Sequence, residues 1–129
     1  MPTTYTTNTI TSRDKFAAAE MSDMTTLPYI NEVAFGNDGV DENNDPVEPD
    51  PTAITVPGEF IKKSYENVTK VEDMVYRITF ELDYGEGIGE DVSSCGIYDS
   101  DGDLMAIKNF EPIPKTDENR ITIEWDRQF

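Results

Sequence analysis

The alternation of apolar and polar positions is clearest in one nine-residue segment. Met74, Tyr76, Ile78, Phe80 and Leu82 alternate with Val75, Arg77, Thr79 and Glu81. A period of two predicts a strand with one face in a core and the other in water. Ile121, Ile123 and Trp125, set between Arg120, Thr122, Glu124 and Asp126, repeat the pattern, and the eight apolar members of the two runs are expected to line one core. Tyr29 to Phe35, Phe60 to Tyr65 and Val68 to Val71 read as further strands. Val92 to Tyr98 and Leu104 to Phe110 flank Asp99-Ser100-Asp101-Gly102-Asp103, where Asp-Gly signals a tight turn, so they predict a hairpin. Only one stretch has helical character. Thr11 and Ser12 offer hydroxyl caps, and Lys15-Phe16-Ala17-Ala18-Ala19-Glu20-Met21 are strong helix formers; Phe16, Ala17, Ala19 and Met21 or Met24 are expected on the buried side.

These readings give an α+β fold, mostly β, with about six largely antiparallel strands and one short N-terminal helix. Residues 1–10 are Thr-rich and nearly uncharged, and predict an extended arm that finds order on the sheet edge of a neighbour. Residues 11–129 form a single domain, interrupted at 36–58 by a long loop. That loop carries Asp38, Asp41, Glu42, Asp45, Glu48 and Asp50 with four prolines, and reads as a surface excursion with little to bury.

Composition narrows the chemistry. The chain has 129 residues, enough for one core, with six Tyr, six Phe and a single Trp to fill it. Ten basic side chains against 27 acidic ones leave a net charge of −17, a field that repels phosphate backbones and anionic lipid; nucleic acid and membranes are therefore not expected as partners. There is no His and one Cys, which excludes His-based triads, Cys/His zinc sites and an internal disulfide. The first ten residues lack the layout of a secretory signal, and an intracellular product is expected.

The remaining candidates for chemistry have simpler explanations. Asp99, Asp101 and Asp103 alternate like the opening of a calcium loop, but Gly102 comes early and the twelfth position is Phe110, not Glu; the segment reads as a hairpin turn. Gly85, Gly87 and Gly89 follow a strand without leading into a helix and have acids beside them, so a phosphate would be repelled. Cys95 has no basic neighbour in sequence and reads as a buried structural thiol. No catalytic, cofactor-binding or metal-binding residue is assigned, and no enzyme activity or cofactor is expected.

Three stretches carry a family resemblance: Ile30-Asn31-Glu32-Val33-Ala34-Phe35-Gly36-Asn37-Asp38-Gly39-Val40-Asp41-Glu42-Asn43, Tyr76-Arg77-Ile78-Thr79-Phe80, and Gly96-Ile97-Tyr98-Asp99-Ser100-Asp101-Gly102-Asp103-Leu104-Met105-Ala106-Ile107-Lys108. In order and spacing, over about residues 11–110, the chain resembles the N-terminal domain of phage tail-collar fibre proteins, most specifically between Gly96 and Ile107. It departs from the family pattern at Ser94 and Cys95, where an acid and an aliphatic residue are usual, and in lacking a glycine between Thr11 and Glu20. The resemblance implies a structural tail protein of a phage, a prophage or a related contractile particle. Such a module would link the tail fibre or collar to the baseplate, with other tail or baseplate proteins and copies of itself as partners. It would reside in the host cytoplasm during assembly and then in the virion tail. The chain stops at Phe129 without a fibre shaft, which suggests a stand-alone component or a shaft on another polypeptide. The alternative is a non-catalytic β-rich module that binds a carbohydrate or receptor, in which Tyr29, Tyr65, Tyr84 or Trp125 would stack on a sugar.

Overall fold

A computed structural model describes residues 4–21 and 27–128. Among these are one helix and eight strands, and the strands form two antiparallel sheets. The elements in chain order are β1 (Tyr5–Asn8), α1 (Ile10–Met21), β2 (Ile30–Gly36), β3 (Glu59–Ser64), β4 (Asn67–Glu72), β5 (Val75–Leu82), β6 (Asp91–Asp99), β7 (Leu104–Pro114) and β8 (Ile121–Gln128). The larger sheet has the order β1-β7-β6-β2-β3 and the smaller the order β4-β5-β8. The α+β, mostly antiparallel class expected from periodicity is the one observed, with eight strands rather than about six.

The core lies between the sheets. Val33 and Phe35 of β2, Cys95 and Ile97 of β6 and Met105 and Phe110 of β7 meet Ile78, Phe80 and Leu82 of β5 and Ile121 and Trp125 of β8. Phe35 and Phe80 pack with ring centroids 5.4 Å apart at 58°. The period-two pattern of β5 puts Ile78, Phe80 and Leu82 in this core, but the pattern overshoots at its start. Tyr76 is 41% exposed, and Met74 lies in the β4–β5 turn, 60% exposed and at φ 69°. Ile123 is half-buried against the core.

Strand β6 is buried at every position after Asp91, and β7 nearly so over Leu104–Phe110. A half-exposed strand would alternate; these do not, because the large sheet is covered on both faces. Its second cover is the 36–58 loop, which corrects the expectation of a surface excursion with little to bury. Val56 is 1% exposed and packs with Ala34, Tyr98, Leu104 and Ile107. At Gly96 an added Cβ would lie 2.5 Å from Val56 Cγ2, so the glycine makes room for the loop. The Gly39 N–H donates to Ser93 Oγ (2.9 Å) and Asn109 Nδ2 donates to the Val47 carbonyl (2.9 Å). The Val56 N–H donates to Tyr98 Oη (3.2 Å), and that hydroxyl donates to Glu59. Buried Ser93, Ser94 and Asn109 are the polar floor of this seam.

The N-terminal segment has its edge partner within the chain: β1 pairs with β7, Tyr5 opposite Asn109 and Asn8 opposite Ala106. Thr9 then caps α1, two residues earlier than Thr11. Its Oγ1 accepts the Ser12 N–H (3.1 Å) and donates to the Leu104 carbonyl (2.7 Å). Helix α1 lacks an apolar stripe. Phe16 packs on the core, whereas Ala17 is exposed and Met21 is 83% exposed, contrary to expectation; Met24 lies outside the described residues.

Candidate functional site

The turn between β6 and β7 gathers the densest group of ionisable side chains. Asp99 is fully buried, and its Oδ1 accepts the N–H groups of Asp101 and Asp103, each at 3.0 Å. The Asp99 N–H donates to the Asp103 carbonyl (3.0 Å), and Gly102, at φ 85°, donates its N–H to the Asp99 carbonyl (2.9 Å). Asp and Gly thus build the hairpin turn as their types predict. The neighbouring Ser100 N–H donates to the Tyr29 carbonyl (2.8 Å), tying the turn to the start of β2.

That geometry brings one carboxylate oxygen from each of Asp99, Asp101 and Asp103 within 4.8 Å of one another. Lys15 reaches into the group from α1. Its Nζ lies 2.5 Å from Asp99 Oδ2, 2.7 Å from Asp103 Oδ2 and 3.3 Å from Asp101 Oδ2. An ammonium with three donors meets three acceptors, so the lysine does here what a hard cation would do. Partial burial works against the Lys15 charge; hydrogen bonds to Asp103, Asp99 and Asp101 outweigh it and hold the ammonium above the ordinary lysine range. The sequence showed the three acids but not their partner, because Lys15 is 84 positions away from Asp99 and sits in an unremarkable helical run.

Other residues singled out in the sequence fall into structural places. Cys95 is fully buried, and burial pushes its thiol up to about 12, so it is not poised as a thiolate nucleophile. The Gly85–Gly89 loop is tied down by Lys115, which is 2% exposed. Its Nζ donates to the carbonyls of Thr116 (2.8 Å) and Tyr84 (3.4 Å), and its backbone carbonyl accepts the Gly89 N–H (2.9 Å). Gly87 at φ 66° and Gly89 at φ 90° supply the left-handed backbone the loop needs. Lys63 lies 2.6 Å from Glu86 and holds that carboxyl below its usual range.

The four aromatic side chains considered as sugar platforms do not share a surface role. Trp125 is 2% exposed with Lys108 Nζ 4.9 Å from its ring centroid, and Tyr65 packs on the core. Tyr84 is exposed but has the Arg120 guanidinium stacked 4.9 Å from its centroid, while Tyr29 is exposed beside the turn. Among the described residues no helix is long and apolar enough to cross a membrane. Comparison with known proteins found no matching family model, curated protein or solved structure.

Proposed function

We propose that the chain is a non-catalytic attachment module of a phage or prophage tail, joining a fibre or collar to the baseplate. The observation that carries this reading concerns the segment Gly96–Ile107, where the resemblance to tail-collar fibre proteins is most specific. Gly96 admits Val56, Tyr98 holds the acidic loop, and Asp99 receives Lys15. Its distinctive residues hold a scaffold together, and a scaffold with docked loops suits a module that works by presenting surfaces. Partners in this reading are other tail or baseplate proteins and copies of the same chain; nucleic acid, membranes, metals and cofactors have no part in it. The protein resides in the host cytoplasm until assembly and in the tail afterwards.

The test is incorporation. An epitope-tagged chain expressed in the strain that encodes it is expected to purify with intact tails and to be labelled near the baseplate by immunogold electron microscopy. Deleting the gene is expected to leave particles without attached fibres. Complete, fibre-bearing particles from the deletion strain, or a tagged chain absent from purified tails, would refute the assignment.

A further inference from the structure

The space between the two sheets is not filled to its end. A cavity of about 300 Å³ lies there between α1 and both sheets, lined by Phe16, Ile30, Val68, Ile78 and Met105. Arg127 is the one charged side chain among the described residues around it. The strand register explains how an arginine comes to stand there. Val68, Ile78 and Trp125 lie opposite one another across β4, β5 and β8, and Ile78 and Trp125 belong to the core. One pleat further along, on the same face, Lys70, Tyr76 and Arg127 form the next row. The cavity therefore has an apolar interior and a mouth edged by a phenol and a guanidinium, with an ammonium beside them.

Charge and volume select the occupant. Arg127 Nη1 donates to Asn8 Oδ1 (2.6 Å), which anchors the guanidinium, and Lys70 Nζ lies 3.2 Å from the exposed Asp73. Of the other acids nearby, Glu72 faces the opposite way, across from Val75, and Glu66 stands beyond Val68, away from the row. In a chain with ten basic side chains and a net charge of −17, two cations on one row mark a place that favours an anion. The field of the whole chain is screened beyond about 8 Å at physiological salt, so the contact charges decide. A cavity of about 300 Å³ is at the small end for ligand sites, with room for one short alkyl chain or ring and too little for a diacyl lipid or a helix. We propose that the cavity binds a small amphipathic carboxylate, its alkyl or aryl body between Phe16, Ile30, Ile78 and Met105 and its carboxylate at Tyr76 and Arg127. The Tyr76 hydroxyl and the Arg127 guanidinium donate to the carboxylate oxygens, and Lys70 adds positive charge beside them. This inference stands independently of the tail assignment.

The test is an NMR titration of the full chain, following methyl and amide signals, with octanoate below its micelle concentration as the probe. Octanoate is expected to shift the methyl signals of Ile30, Ile78 and Met105 in a saturable way. Acetate, which has the head without the chain, is expected to bind at least about a hundredfold more weakly. Octyltrimethylammonium, which has the chain under the opposite charge, is expected to bind at least about tenfold more weakly than octanoate. Tyr76→Phe removes one hydroxyl at a partly exposed position; it is expected to leave Tm unchanged and to weaken octanoate binding about tenfold. No saturation with octanoate, shifts confined to residues elsewhere, acetate or the ammonium binding as well as octanoate, or unaltered affinity in Tyr76→Phe would each overturn the proposal. So would tighter binding of the peptide Gly-Ser-Gly-Leu, since the occupant would then be the C-terminus of another protein.

Discussion

Replacing Lys15 by Met is expected to destabilise the protein by about 2–4 kcal/mol, measured by urea denaturation at neutral pH. The loss follows from what remains behind. Asp99 is fully buried, and without the ammonium its Oδ2 is an unpaired charge in the protein interior. The figure stays below that for a wholly buried pair because Lys15 retains 21% exposure and solvent reaches Asp101 and Asp103. Asn at position 99 removes the charge and keeps an oxygen for the turn. Lys15→Met is therefore expected to cost much less in an Asp99→Asn background, with a coupling energy of about 1.5 kcal/mol or more. The pH dependence has a definite sign. A lysine pKa raised by folding gives stability that is complete below the unfolded value of about 10.4 and lost as pH rises through the higher folded value. The gap between wild type and Lys15→Met should thus be level from pH 6 to about 9 and narrow only in strong alkali.

Phe80→Ala is expected to cost about 3–5 kcal/mol and to lower Tm by roughly 10–20 °C. Phe80 is fully buried at the centre of β5, packs on Phe35 of the opposite sheet, and stands opposite Ile123 in β8. Truncation leaves a cavity between two sheets that cannot collapse without moving both. Tyr76→Ala is the control on the same strand. Its side chain is 41% exposed, and the loss is expected to stay below about 1 kcal/mol. Equal costs at the two positions would contradict a core that takes in Phe80 and leaves Tyr76 at its margin.

Strands β5 and β8 of the small sheet are legible because each has one wet face and so writes a period of two into the chain: Ile78, Phe80 and Leu82 can be placed without coordinates. The same reasoning failed four residues earlier. Alternation says which side a residue faces but not how fully its neighbours cover it, so it assigns Met74 and Tyr76 to the core with the rest. In the large sheet, β6 has no alternation to read, since Val56 and its loop cover the outer face. Nothing local in 36–58 announces that role. The loop holds by single buried contacts to Ser93, Tyr98 and Asn109, which lie 42 to 62 positions away. Edge strand β1 has one aromatic and three polar residues, with its pairing specified by β7, and the sequence places the cap at Thr11 instead of Thr9 because the second partner of Thr9, the Leu104 carbonyl, is also remote. The turn at 99–103 is legible from Asp and Gly chemistry alone; its lysine is not, because a salt bridge between a helix and a hairpin has no spacing rule.

The carboxylates of Asp99, Asp101 and Asp103 hold Lys15, and this pairing is expected to leave no place for a divalent ion. Thermal unfolding of the wild-type chain in calcium, magnesium and sodium chloride at equal ionic strength tests it most directly. With Lys15 holding the triad, added salt acts only by screening the net negative charge, and the three unfolding curves are expected to superimpose. A calcium-specific rise in Tm that disappears in Asp101→Ala would contradict the account.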